Sequence, residues 1–313
     1  MRLTLPSNSF TAIQSGATAT VKVATNRRLL GLILSTNATD ATQLNNFVRE
    51  VRLKLGSFPL LTLTIPQLYA LLAYYGIPVG AGEIPLFFAK SAARTPTGEE
   101  FTAFNTWGLE DLTLEVEFRT NAEYNAATST SSGFTPTLTG LVEFDFVKDG
   151  NRAFIQTVPR LIANSGAGDV DYDSLERDGA YKCVHIFSNL VTRARVYRDG
   201  LELVDRTGAN IDSLNRRYGL TRQANHFPID FGYTNQAQDV LEMRVPIPGT
   251  DQYKKVETFN LKLTTTAGGA LPNGAPVVST GGYPGAQTAA SLGPVVHVAR
   301  GNAVTDVSVG GKK

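Results

Sequence analysis

One cysteine, one tryptophan, two methionines and three histidines in 313 residues leave this chain short of the side chains that most often do chemistry. A single Cys183 cannot close an internal disulfide, so stability has to come from packing or assembly, and the residue itself reads as a small core side chain. His185, His226 and His297 fall in separate strand-like segments without HxH or HExxH spacing, which argues for structural roles and against zinc. G-x-S-x-G, G-x-x-x-x-G-K and G-x-G-x-x-G are all missing, and "VGAGEIP" lacks the third glycine of a phosphate cradle. The formal net charge of +1 gives no long-range pull on a polyanion or an anionic membrane, so no specific nucleic-acid partner is expected. No apolar run reaches 18 residues, and "MRLTLPSNSF" has no apolar signal segment, so the chain is expected to be made and kept soluble. The "NAT" sequon at Asn37 then has no secretory context. These absences together predict a protein without enzymatic activity.

Thr, Ser, Asn and Gly are plentiful instead, and the charged fraction of 18% lies below the usual quarter, a composition typical of β-rich proteins. The length suits two domains of roughly 150 residues each. An internal echo supports that division: "TIPQLYALLAYYGIP" at 64–78 resembles "TGANIDSLNRRYGLT" at 207–221. Displaced by 143 residues, the chain matches itself without a gap from Asn46 to Phe88. Identical pairs include Asn46/Asn189, Arg52/Arg195, Thr64/Thr207, Tyr75/Tyr218, Gly76/Gly219 and Pro85/Pro228. Leu68/Ile211, Ile77/Leu220 and Leu86/Ile229 keep an apolar residue where a core would want one.

Each copy reads as strand, turn, short helix, strand. In the first, Pro66 suits the first helical position, where its missing N–H costs nothing, and Leu68, Leu71, Leu72 and Tyr75 recur at i, i+3, i+4, i+7 as one apolar stripe. Gly76 is placed to adopt the left-handed end conformation, and Pro78 bars continuation. In the second, Asn210 is a candidate N-cap, Ile211, Leu214 and Tyr218 hold the stripe, and Gly219 stops the helix. Equal stripes predict equal core roles for Tyr75 and Tyr218. Arg216 and Arg217 read either as a solvated face complementing the helix C-terminus or as a subunit or domain contact.

Period-two alternation in "TATVKVAT", "LTLEVEF", "LVEFDFV", "VLEMRVP" and "FNLKLTT" makes the remainder strands. "LEDLTLEVEF" at 109–118 answers "KVETFNLKLT" at 255–264, and "EFDFVKDGN" ending at Asn151 answers "PVVHVARGN" ending at Asn302. Between those strands lie "NAEYNAATSTSSGFTPT" (121–137) and a Gly- and Ala-rich stretch (266–292), both read as surface loops. The domains are expected at 1–150 and 151–302, joined near "KDGNR", with a tail at 303–313.

The expected architecture is all-β: two tandem jelly-roll β-sandwiches, each with a short helix in a connecting loop. The order "VREVRLKLG", "PQLYALLAYYG", "EIPLFFA", then "TRARVYRDGLELVDRTGANIDSLNRRYGL" and "HFPIDFGY", resembles the double jelly-roll major capsid proteins of icosahedral internal-membrane bacteriophages, of corticovirus type. The resemblance covers about residues 20–120 and 180–265, and "RVYRDG" followed by a helix ending in "YG" is its most specific element. It implies a virion protein that trimerises into pseudo-hexagonal capsomers. These would contact neighbouring capsomers and minor or vertex proteins over a lipid layer, after assembly in the host cytoplasm. The long stretches at 121–137 and 266–292 depart from that family's compact form.

Three residue groups keep other readings open. Asp169, Asp171 and Asp173 in "DVDYDSLERD" have the i, i+2, i+4 spacing of a calcium loop. Ser174 and Ala180, however, replace the glycine and terminal glutamate such a loop needs, leaving a solvated acidic loop as the alternative to a structural calcium. Glu115 and Glu117 alternate as the wet face of a strand, and sequence places no carboxylate pair at a glycosidase separation. Trp107 with Asn105 could form a sugar platform, which would make the chain a carbohydrate-binding, lectin-like or receptor-binding jelly roll. Phe101, Phe104 and Trp107 otherwise read as core material.

Overall fold

The computed structural model describes residues 2–88, 103–147, 154–161, 166–173, 180–231, 241–247, 253–266 and 295–302, together with Leu175 and Arg177. The second long stretch, the 148–152 junction, Phe101 and the C-terminal tail fall outside these.

In the first half, one sheet runs β1 (Leu3–Pro6), β9 (Leu138–Asp145), β3 (Arg28–Thr36), β6 (Glu83–Phe87), with β7 (Phe104–Asn105) also on β3. It faces β2 (Thr18–Lys22), β8 (Leu112–Phe118), β4 (Val48–Leu55), β5 (Phe58–Leu63). The second half repeats the order strand for strand. One of its layers runs β10 (Phe154–Leu161), β20 (Val295–Asn302), β12 (Ala180–Phe187), β15 (Phe227–Asp230), with β16 (Leu241–Glu242) also on β12. The other runs β11 (Gly168–Tyr172), β19 (Phe259–Thr265), β13 (Val191–Arg198), β14 (Leu201–Thr207), and β17 (Arg244–Pro246) with β18 (Tyr253–Lys255) makes a separate ribbon. Four strands facing four, in this order and twice, is a double jelly roll.

Alternation builds each sandwich. Leu112, Leu114, Val116 and Phe118 of β8 are buried, as are Phe259, Leu261 and Leu263 of β19, while the residues between them are partly exposed. Each half has its own apolar core: Leu32, Val51, Ile84 and Phe118 belong to one, Val184, Val196, Ile229 and Phe259 to the other. The paired registers correct the sequence alignment of these strands. Leu53 pairs with Leu114 and Val196 with Leu261, so Leu114 answers Leu261, one residue from the match read above. A one-residue slip in a strand would exchange its faces, and the core enforces the other choice. Likewise Val142 answers Val298, because each lies opposite the equivalent strand residues Leu32 and Val184.

Helices α1 (Ala41–Phe47), α2 (Ile65–Tyr74), α3 (Asn121–Thr128) and α4 (Gly208–Tyr218) sit in connections. The echoed helices α2 and α4 start on the echoed threonines: Thr64 precedes α2, where the Gln67 side chain accepts its N–H at 2.9 Å, and Thr207 caps α4. The cap of α4 is therefore Thr207 and not Asn210, whose N–H is the group capped, at 3.4 Å. Gly76 and Gly219 both take left-handed conformations, φ +69° and +72°, and end their helices. The first long stretch is not all loop. Thr120 and Glu123 form a capping box that starts α3, and Tyr124 and Phe134 gather on Phe47 with ring centroids 4.6–5.6 Å apart.

Candidate functional site at the seam between the halves

The two sandwiches are joined in two places. β10 pairs in parallel with β5, Thr157 opposite Leu61, so β2, β8, β4 and β5 of the first half run on into β10, β20, β12 and β15 of the second as one sheet. Beside it, the last turn of α2 lies on the outer face of β12 and β15. Tyr74 is fully buried there, although it belongs to neither apolar core. Its ring meets His226 and His185 edge-on at centroid distances of 5.3 and 5.9 Å, and Tyr75 meets His185 at 6.3 Å. The Tyr74 hydroxyl is 3.3 Å from Oδ1 of Asn215 on α4 and 3.5 Å from Oδ2 of Asp230, and its carbonyl accepts the Thr221 N–H at 3.2 Å.

This corrects the apolar stripe. Ile65, Leu68 and Leu72 face the first core, but Leu71 and Tyr75 are only half buried, and Tyr218 is 38% exposed. Tyr75, just past the end of α2, and Tyr218 in α4 therefore do not share a core role. A helix wedged between two domains has two buried faces, and a single-stripe pattern sees one.

The histidines that sequence left apart meet here. Nδ1 of His185 lies 2.9 Å from Nε2 of His226 and 3.6 Å from Cys183 Sγ, and Phe187 stacks on His226 at 5.1 Å. Antiparallel pairing of β12 with β15 brings them together, a neighbourhood that a separation of 41 residues hides. Burial, aided by the positive charge of Arg222, lowers His226 from the usual 6.5 to about 3. The unfolded chain thus binds this proton near pH 6.5 and the folded chain only near 3. The stability lent by the neutral ring is complete above about 6.5 and falls with pH below it, by roughly 1.4 kcal/mol per unit, or about 2 kcal/mol by pH 5. Urea titrations of wild type and His226→Phe between pH 7.5 and 5 should show that slope in the first and its loss in the second. Tyr74 and His185 touch the ring, Arg222 acts on it by its charge, and Asn215 and Asp230 lie behind Tyr74 at its hydroxyl.

The other candidates lie elsewhere. Asp169 and Asp171 are on β11, not in a loop. Asp169 accepts from Arg195 at 2.7 Å and Thr264 at 2.6 Å, with Lys262 at 3.4 Å, and Asp171 lies 3.7 Å from Lys262. These partners hold Asp169 down at about 2. Asp173 follows the strand as an exposed residue, and no group of three metal-ligating side chains occurs among the described residues. Glu115 and Glu117 are half buried and paired with Lys54, Arg52 and Arg49. Asn105 is 3% exposed, too buried to offer its amide to a sugar, and its Oδ1 accepts the backbone N–H of Trp107 at 3.0 Å.

Two sandwiches sharing one sheet, with a site made of the contacts between them, define the double jelly-roll fold class. Solved structures agree on the fold. The major capsid protein P2 of bacteriophage PM2 superposes with a TM-score of 0.72 at 15% identity, over 96% of this chain and 97% of that one. The STIV major capsid protein gives 0.57 at 11% identity over 96% of both, and the PBCV-1 virus capsid 0.56 at 9% over 96% and 93%. No curated protein matches. The family models of the viral coat protein P2 N-terminal and C-terminal domains match residues 4–143 and 155–275. The chain belongs to the viral coat protein P2 family.

Proposed function

We propose that this chain is the major capsid protein of an icosahedral virion, forming homotrimeric pseudo-hexagonal capsomers that tile the shell. The observation that carries this reading is the seam. It joins two different faces, the end of α2 and a strand edge on one domain against β12, β15 and β10 on the next, so it is a heterologous contact. Between two similar domains, such a contact leaves its complement open at both ends of the chain, and repetition with a rotation that closes gives a ring. Six similar domains from three chains then occupy a near-sixfold position with threefold symmetry. Neighbouring capsomers, minor or vertex proteins and an underlying lipid layer are its partners on this reading, and the host cytoplasm its place of assembly. The support for the lipid layer is the family resemblance, since no helix among the described residues is long and apolar enough to cross a membrane.

Light scattering on the purified chain should find a species of three times 33.7 kDa that persists on dilution into the micromolar range. A well-folded monomer at every concentration would overturn the capsomer reading.

A further inference from the structure

The strand-for-strand repeat allows each residue of the seam to be placed on its counterpart in the other half. Tyr74 answers Arg217 and Tyr75 answers Tyr218, both at the end of α4. On the receiving face, the registers of β6 and β15 on β3 and β12 make Ile33 the counterpart of His185, Glu83 of His226, and Phe87 of Asp230. Along the sheet, Leu61 answers Val204 on β14, and Thr157 answers Thr4 on β1.

Most of these counterparts are at least partly exposed, and Val204, although buried, lies on an edge strand of its sheet. Arg217 is exposed, Tyr218 is 38% exposed, and Ile33, Glu83 and Phe87 are half buried. Leu141, opposite Ile33 on β9, is 43% exposed. Among the described residues β1 and β14 are edge strands, with Leu5 50% and Leu201 63% exposed. An opening of about 200 Å³ lies beside β1, lined by Leu5, Val21, Leu34 and Leu141 together with the polar Asn8 and Arg27. Open edges and apolar patches of this kind invite a partner strand.

The exchanges between the two sets are complementary in charge. Where the seam puts a tyrosine against a neutral histidine, the open surfaces offer Arg217 and Glu83. Apolar Ile33 stands where Tyr218 would land, as His185 stands under Tyr75. One hydrogen bond has no counterpart: Thr221, whose N–H binds the Tyr74 carbonyl, is answered by Pro78, which has no N–H.

We propose that protomers meet by repeating the seam between chains, the α4 end of one chain seated on the β3–β6 face of the next with Arg217 on Glu83, and β14 pairing in parallel with the next chain's β1. This rests on the trimeric reading above and names the surface that makes the trimer. An arginine beside a carboxylate in a partly desolvated contact gives the assembly a charge pair at the position where the intrachain seam sets Tyr74 against His226. Because the two seams differ in chemistry, charge variants separate them.

The test is a charge swap read by the trimer dissociation constant, from light scattering or analytical ultracentrifugation. R217E and E83R should each weaken association roughly 10- to 100-fold, and the double variant R217E/E83R should return most of that loss. E83Q keeps an acceptor for the Gly80 N–H, which Glu83 accepts at 3.0 Å, and should weaken association by less than E83R. Unfolding midpoints measured below the dissociation constant should match wild type, since neither charge is in a core. A wild-type trimer unmoved by either single reversal, or a double variant no tighter than the singles, overturns the pairing and leaves the trimer standing. A monomeric wild type overturns both.

Discussion

Tyr74→Ala is expected to lower the unfolding free energy by about 3–5 kcal/mol. The ring is fully buried, edge-on to two histidines, and its removal leaves a cavity that belongs to two domains at once. Neither half can collapse into it without dragging the shared sheet at Thr157 and Leu61. Tyr74→Phe separates ring from hydroxyl. The hydroxyl contacts are long, 3.3 and 3.5 Å, so their loss should cost about 1 kcal/mol or less. Tyr218→Ala, measured on dissociated chains, should stay within roughly 0.5 kcal/mol, because its ring is 38% exposed. Urea denaturation of the three variants gives the order directly, and equal losses from Tyr74→Ala and Tyr218→Ala would show that the seam is not a second core.

The contrast between those tyrosines marks where the sequence is legible. Repetition of Thr64, Gly76 and their partners 143 residues later reports local backbone chemistry, a cap and a left-handed terminus, which depends on neighbours within a few positions. Such features survive in a linear reading. Which tyrosine is buried depends on a domain that the helix meets only in three dimensions, so Tyr74 and the His185–His226 contact stayed hidden. The period-two pattern of β8 and β19 identified strands but left their match one residue out, since alternation fixes a face and the partner fixes the register. Helix α3 had a visible signal, Thr120 with Glu123 three residues on. The Ser, Thr and Gly that follow obscured it, and the packing of Tyr124 on Phe47 and Phe134 secures it.

Breaking the Arg28–Asp145 pair should cost the first sandwich about 3–5 kcal/mol. The two are directly opposite on β3 and β9, their side chains only 9% and 6% exposed, and the guanidinium grips the carboxylate with Nε at 3.0 Å and Nη2 at 2.6 Å. Asp145 also accepts the Val147 N–H at 3.1 Å, so it ties the end of β9 to the chain that leaves it. R28M strands a buried carboxylate and D145L strands a buried guanidinium, whereas the double variant strands neither. The double variant should therefore lose less than the sum of the singles, by at least about 2 kcal/mol in a thermodynamic cycle read from urea unfolding. Burying two charges is costly even when they are well paired, so a double variant close to wild type would assign the pair a different duty. A one-residue slip of β9 against β3 would separate Arg28 from Asp145 and turn Val142 and Phe144 out of the core, a penalty no apolar pair at that row would enforce as strongly. Additive losses in the cycle would instead mean that the two charges act independently, and register would then rest on the apolar rows alone.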